Sequence, residues 1–118
     1  MDEKTLRIRS YLLTLGLYPN KCGYHYILEL IRLALHGEEI LPLKYTGYPR
    51  LSEKFEKSAA AIEKDIQNAI SYAWLHSDLE KLYAAFGETI DMKKGKPSNK
   101  HFLMTVIEAL SQPHEAYY

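Results

Sequence analysis

Cysteine and long apolar runs are both scarce in this sequence. Cys22 is the only cysteine among 118 residues, so no disulfide can form within the chain. No uncharged apolar run approaches the roughly 18 residues that cross a bilayer. Met1 is followed by charged residues and not by the apolar core of a signal peptide. We therefore expect a cytoplasmic protein with no intrachain disulfide and no membrane contact.

The chain also lacks an excess of charge of either sign, because 15 lysines and arginines balance 15 aspartates and glutamates. Nucleic-acid-binding domains are more often basic, so composition alone argues mildly against that class. The charges are unevenly distributed, however, since residues 93–100 carry four lysines and no acid. A neutral total is therefore compatible with one basic face.

Motifs for catalysis and for metal binding are missing as well. There is no glycine-rich phosphate loop, nucleophile elbow or H-E-x-x-H motif. Cys22 and His25 have the spacing of one ligand pair, but no second pair follows at a plausible distance. His25 and His36 would lie about 16 Å apart along a helix and cannot share one metal ion. We expect no enzyme activity, no metal site and no cofactor.

Strand-like alternation never lasts, and apolar residues recur at helical spacing instead. This spacing predicts an all-α fold of six helices, over residues 4–15, 24–36, 49–55, 59–75, 79–86 and 99–110. A loop is expected over 38–47, which contains Pro42 and Gly47. Since no linker divides the sequence, we expect a single domain over 1–118. Its predicted core includes Phe55, Ile62, Ile66, Trp74 and Phe86.

Residues 48–75 have the parts of a helix-turn-helix: a short helix, a turn of about three residues and a longer helix. One side of the longer helix is apolar, and small or hydrogen-bonding side chains cover the other. That polar face suits the major groove, where lysine donates to guanine and glutamine or asparagine pairs with adenine. The alternative is an amphipathic bundle helix with a solvated face. The residues of the polar face are Ala60, Glu63, Lys64, Gln67, Asn68 and Ser71.

The basic loop before the last helix is the second candidate for a DNA contact. Lys93, Lys94 and Lys96 can reach phosphates, together with the backbone amides that begin the next helix. By itself, a lysine-rich loop is more often simply solvated. Beside a helix-turn-helix it supplies a second contact point to double-stranded DNA, which strengthens both candidates.

The chain resembles a bacterial family in residues 48–74 and in the string F-G-x-T-x-x-M-x-K-x-K-P-x-N over residues 86–99. The match also reaches back to Gly23, Tyr24 and Tyr26, so it covers nearly the whole chain. The chain resembles the effector (DNA-binding) domain of the stage-zero sporulation transcription factor, a response regulator. The resemblance implies a six-helix fold with a helix-turn-helix, of the winged-helix-like or response-regulator effector type. It also implies a recognition helix over 59–75. Family members bind tandem boxes of the TGTCGAA kind as head-to-tail homodimers.

The resemblance further implies which residues contact DNA. The family uses a glutamate, two arginines and a serine on its recognition helix. The glutamate is kept as Glu63, whereas Lys64 and Gln67 stand at the arginine positions and Ala60 at the serine. Asp65 adds a negative charge where the family has a small neutral residue. It lowers affinity if it points at the DNA backbone, and the alternative is that, one position after Lys64, it faces sideways.

Two further expectations come from the same comparison. The family's phosphate-contacting loop lysine falls in the 93–96 run, where Lys94 and Lys96 match. The surface over about 77–90 is similar to the family's contact region for the sigma subunit of RNA polymerase. No counterpart of the family's phosphorylated receiver domain occurs in these 118 residues. A stand-alone protein and a fragment of a two-domain regulator both fit this sequence.

Two functions therefore compete. The first is a sequence-specific DNA-binding transcription regulator of the sporulation effector type. The second is a protein-interaction module of the same fold, with a degenerate DNA-reading face, that contacts the sigma subunit or a homologous regulator. The changed residues Lys64, Asp65 and Gln67 favour the second function, and the lysine loop favours the first.

Overall fold

The computed structural model of the chain describes residues 2–87 and 95–112. These ranges contain six α-helices and no strand. The predicted all-α class and helix number are therefore confirmed, and the observed ends lie within two residues of the predicted ones. The helices are α1 (Glu3–Thr14), α2 (Cys22–Leu35), α3 (Tyr48–Phe55), α4 (Ala59–His76), α5 (Leu79–Phe86) and α6 (Asn99–Ser111).

Side-chain caps explain where three of these helices begin. The Ser58 hydroxyl accepts a hydrogen bond from the backbone amide of Ala61 at the start of α4. Ser98 does the same for α6, and the Asp78 carboxylate accepts from the amide of Glu80 at the start of α5. Such a cap satisfies an amide that has no partner inside the helix. Serine and aspartate are among the residue types that favour this position, so the sequence itself accounts for these three helix starts.

The segment between α2 and α3 differs from the prediction. A loop was expected over 38–47, but Leu43–Gly47 forms a single π-helical turn that leads directly into α3. The amides of Tyr45 and Thr46 both donate to the Pro42 carbonyl oxygen, at 3.1 and 2.8 Å. The loop prediction is therefore wrong for 43–47. Proline and glycine at the two ends of the segment signalled a break without revealing the turn between them.

Helix α2 is the centre of the fold, because it contacts α1, α3, α4 and α6. Its residues Ile27, Leu30 and Ile31 are fully buried. Helix α2 is therefore packed against other helices on more than one side. In the described parts of the chain, no helix combines the length and hydrophobicity that crossing a membrane would require.

The predicted core is correct for three residues and only partly correct for two. Ile62, Ile66 and Phe86 are buried. Phe55 and Trp74 are only partly buried and pack against the edge of the core. Both lie near the ends of their helices, where fewer elements surround a side chain. The Trp74 ring meets the Phe86 ring edge-on, with 5.1 Å between the ring centres.

Candidate nucleic-acid interface

A tight turn over residues 56–58 joins α3 to α4. Glu56 has a φ of 54° and adopts the left-handed conformation, which reverses the chain at the end of α3. The Ser52 hydroxyl on α3 donates a hydrogen bond to the Lys57 carbonyl oxygen. Ser58 then caps α4. The short helix, turn and long helix that the sequence predicted are thus present in the structure.

Helix α4 has one buried and one exposed face. Its buried face points toward α2, α3 and α6 and consists of Ile62, Ile66, Ala69, Ile70 and Ala73. The predicted DNA-contacting residues of α4 all lie on the exposed face; these are Ala60, Glu63, Lys64, Gln67 and Asn68. Their exposure is what base reading requires, and their contact with DNA stays a prediction.

Asp65 does not belong to that exposed face. Its side chain is 25% exposed, and a carboxylate oxygen lies 3.3 Å from the Lys57 Nζ atom in the turn. The hydrogen bond with Asp65 is the largest of the effects that raise the pKa of the Lys57 ammonium. Because Asp65 faces sideways toward a lysine, its negative charge is offset locally. The effect of Asp65 on DNA affinity stays a prediction.

A groove of about 510 Å³ runs beside the exposed face of α4. Glu63 and Gln67 line it from α4. The π-helical turn, the first residue of α3 and residues 96–100 supply the rest of its lining. Lys96 belongs to this groove, and its Nζ atom donates to the Ser71 hydroxyl of α4 at 2.6 Å. The structure therefore brings Lys96 next to α4. Lys93 and Lys94 lie outside the described residues.

A buried polar junction holds the groove together. The Asn99 amide nitrogen at the start of α6 donates to the Tyr48 hydroxyl oxygen at 3.0 Å and to the Glu63 backbone carbonyl at 3.1 Å. Asn99 and Tyr48 are 8% and 4% exposed. Burial raises the pKa of the Tyr48 hydroxyl, while the hydrogen bond from Asn99 acts in the opposite direction. The junction thus joins α3, α4 and α6 through neutral groups.

Sequence reasoning missed the role of Asn99 and Tyr48. The two residues are 51 positions apart, and no spacing pattern connects them. Asparagine at the first position of a helix, directly after a serine cap, looks like an ordinary solvated residue. Only the packing of α6 against α3 and α4 reveals that its amide is buried.

His25 and His36, the two histidines considered as metal ligands, have local partners. The His25 Nε2 atom lies 3.1 Å from the Pro19 carbonyl oxygen, and the His36 Nδ1 atom lies 2.8 Å from the Arg32 carbonyl oxygen. Within residues 2–87 and 95–112, no three side chains of histidine, cysteine, aspartate or glutamate form a group that could hold a metal ion.

A comparison with known protein families finds one family model that covers most of the chain. The family model described as sporulation initiation factor Spo0A C terminal matches residues 8–110. The matched stretch includes α3, α4, the groove and nearly all of α6.

Proposed function

The chain belongs to the Spo0A C-terminal family, whose members are DNA-binding transcription factor domains of sporulation and not enzymes, and on this basis we propose how it binds DNA. Helix α4 enters the major groove and reads base edges through its exposed face. Lysines of the basic loop, among them Lys96 beside α4, contact phosphates. The chain acts as a sequence-specific transcription regulator.

One observation carries this proposal: a lysine of the basic loop lies beside the predicted recognition helix. Lys96 donates to Ser71, so a cation from the basic loop lies against the polar side of α4. A helix in the major groove is bordered by a phosphate strand on each side, and a lysine next to the helix is suited to contact one of them. The apolar side of α4 is buried against the rest of the protein.

The chemistry of the exposed face favours a relaxed guanine preference. An arginine guanidinium binds guanine O6 and N7 as a rigid fork, whereas the Lys64 ammonium can donate to the same atoms without that fork. Glutamine pairs with adenine N6 and N7, so Gln67 favours adenine at its position. We propose that the chain binds a box related to the TGTCGAA kind, with lower discrimination for guanine.

A protein contact is the second candidate function, and exposed apolar residues favour it. Leu75 near the end of α4 is 80% exposed, and Tyr83 on α5 is 39% exposed. Apolar side chains that form a contiguous exposed patch are typical of protein-binding sites. We propose the surface over about 77–90, which includes Tyr83, as the contact for the sigma subunit of RNA polymerase. On DNA, we propose that two copies of the chain bind tandem boxes as a head-to-tail homodimer.

A titration of labelled duplexes followed by fluorescence polarisation tests the proposal. The protein is titrated against a TGTCGAA-type duplex and a random duplex at two salt concentrations. We expect tighter binding to the box, and affinity for both duplexes that falls steeply with salt. Absence of binding to either duplex at low salt would overturn the DNA-binding proposal and favour the protein contact.

A further inference from the structure

The exposed face of α4 carries little positive charge. Among its residues, Lys64 is basic and Glu63 is acidic, so the two charges cancel. Affinity for DNA depends largely on cations that neutralise phosphates. If α4 lies in the major groove, neighbouring elements must therefore supply most of the attraction to the two strands that border it.

The groove beside α4 has this positive charge. Three of the ten residues that line it are lysines, and Glu63 is its single acidic residue. Lys44 comes from the π-helical turn and Lys100 from the first turn of α6, and both are exposed. The Lys44 ammonium lies 5.6 Å from the centre of the Tyr45 ring, a contact that holds the ammonium without removing its charge.

The walls of the groove are fixed with respect to α4. Asn99 bonds both the first residue of α3 and the backbone of α4, and Lys96 bonds Ser71 on α4. Lys100 follows Asn99 directly, and Lys44 lies four residues before Tyr48. Both lysines therefore extend from backbone that is anchored at the junction, and not from a free loop.

We propose that this groove binds one sugar–phosphate strand of the duplex whose major groove α4 occupies, with Lys44 and Lys100 as two additional phosphate contacts. The inference rests on the proposed DNA-binding function and names two residues that neither the sequence patterns nor the family resemblance assigned. Glu63 and Gln67 belong both to the base-reading face and to the groove lining. A strand in the groove thus directly borders the bases that α4 reads.

Lysine suits this role because its ammonium is a compact charge on a flexible stem. It attracts phosphate without requiring the paired geometry of base recognition, so Lys44 and Lys100 should contribute equally on every sequence. This property separates the proposed contacts from those of Lys64 and Gln67, which should depend on sequence.

The test measures duplex affinity over a range of salt concentrations for the single variants Lys44→Gln and Lys100→Gln. Lys81→Gln on α5 is the matched control, because Lys81 is exposed and does not line the groove. Each groove variant should weaken binding to box and random duplexes alike. Each should also reduce the slope of log affinity against log salt by about one unit, and the control should leave it unchanged.

The outcomes separate the inference from the function on which it rests. If the unaltered protein binds duplexes with a steep salt dependence and both groove variants keep that slope, the strand does not pass through the groove, and the inference fails alone. If the unaltered protein binds no duplex, the proposed function and this inference fail together. Circular dichroism verifies that the variants remain helical.

Discussion

The side-chain amide of Asn99 donates to a tyrosine hydroxyl and to a backbone carbonyl, and both acceptors belong to the helix-turn-helix. A buried acceptor that loses its donor also lacks the water that would replace it. Asn99 is therefore a positioning residue, which sets α6 against α3 and α4 without itself lying on the exposed face of α4.

Replacing Asn99 with alanine should lower the free energy of unfolding by about 1–3 kcal/mol, because two buried acceptors lose their donor. Urea denaturation measures the change. The same substitution at Asn20, which is exposed in the α1–α2 loop, is the control and should change stability little. Equal effects of the two substitutions would show that the junction does not hold the helices together.

Glu29 forms the best-connected ion-pair cluster of the described residues. Its carboxylate accepts from Arg32 Nε on the same helix at 2.8 Å and from Lys54 Nζ on α3 at 2.8 Å. The hydrogen bonds from Arg32, followed by those from Lys54, lower the pKa of Glu29 despite its burial. The carboxylate thus links α2 to the first helix of the helix-turn-helix in its charged form.

This pKa shift predicts a pH dependence of stability. A carboxylate whose pKa is lowered on folding stabilises the protein above its unfolded pKa, and this contribution is lost as the pH falls through the lowered folded value. Glu29→Gln should therefore lower the free energy of unfolding at neutral pH by about 1–3 kcal/mol. The difference from the unaltered protein should shrink in acid.

Urea denaturation at a series of pH values measures this difference. Glu39→Gln, at an exposed position between α2 and α3, serves as the control and should show no such convergence. A stability difference for Glu29→Gln that stayed constant from neutral to acidic pH would mean that the charge of Glu29 does not contribute to the free energy of unfolding.

At the scale of helices, Gly23 determines how closely α2 approaches α4. A Cβ atom at this position would lie 2.2 Å from the Asp65 carbonyl oxygen and 2.9 Å from the Ala69 Cβ. Backbone atoms cannot move aside as a flexible side chain can. The absence of a side chain at Gly23 therefore allows the N-terminal end of α2 to pack directly on α4.

This contact reverses the usual effect of alanine in a helix. Glycine to alanine in a helix interior ordinarily stabilises by up to about 1 kcal/mol. Gly23→Ala should instead destabilise by about 1–3 kcal/mol, because α2 and α4 must separate. Urea denaturation tests the sign, with Cys22→Ala as a neighbouring exposed control. A stabilised Gly23→Ala variant would show that the two helices can separate without loss of folding stability.

Local sequence signals predicted the helices well but not how they contact each other. Ser58, Asp78 and Ser98 marked helix starts because a cap depends only on neighbouring residues. The π-helical turn over Leu43–Gly47 was missed because such turns are rare and have no clear sequence pattern. The tight contact at Gly23 was also missed, since it depends on a residue 42 positions away.

At the scale of the whole molecule, the exposed face of α4 was predictable and the groove beside it was not. Helical spacing alone separates the buried and exposed sides of α4. The groove needs three segments that are distant in sequence, namely the π-helical turn, α4 and the start of α6. Lys44 therefore had no signal in the sequence. That residues 1–118 act as one domain stays a prediction.

The central claim is that the exposed face of α4 reads DNA bases. Selection from randomised duplexes, made with the unaltered protein and with the Lys64→Arg/Gln67→Arg variant, tests it most directly. The unaltered protein should select a related box with weak guanine preference and adenine opposite Gln67. The variant should recover guanine discrimination worth about 1–3 kcal/mol for a bidentate pair. Identical selected sequences for the two proteins would contradict the claim, because the bases would then be read elsewhere or not at all.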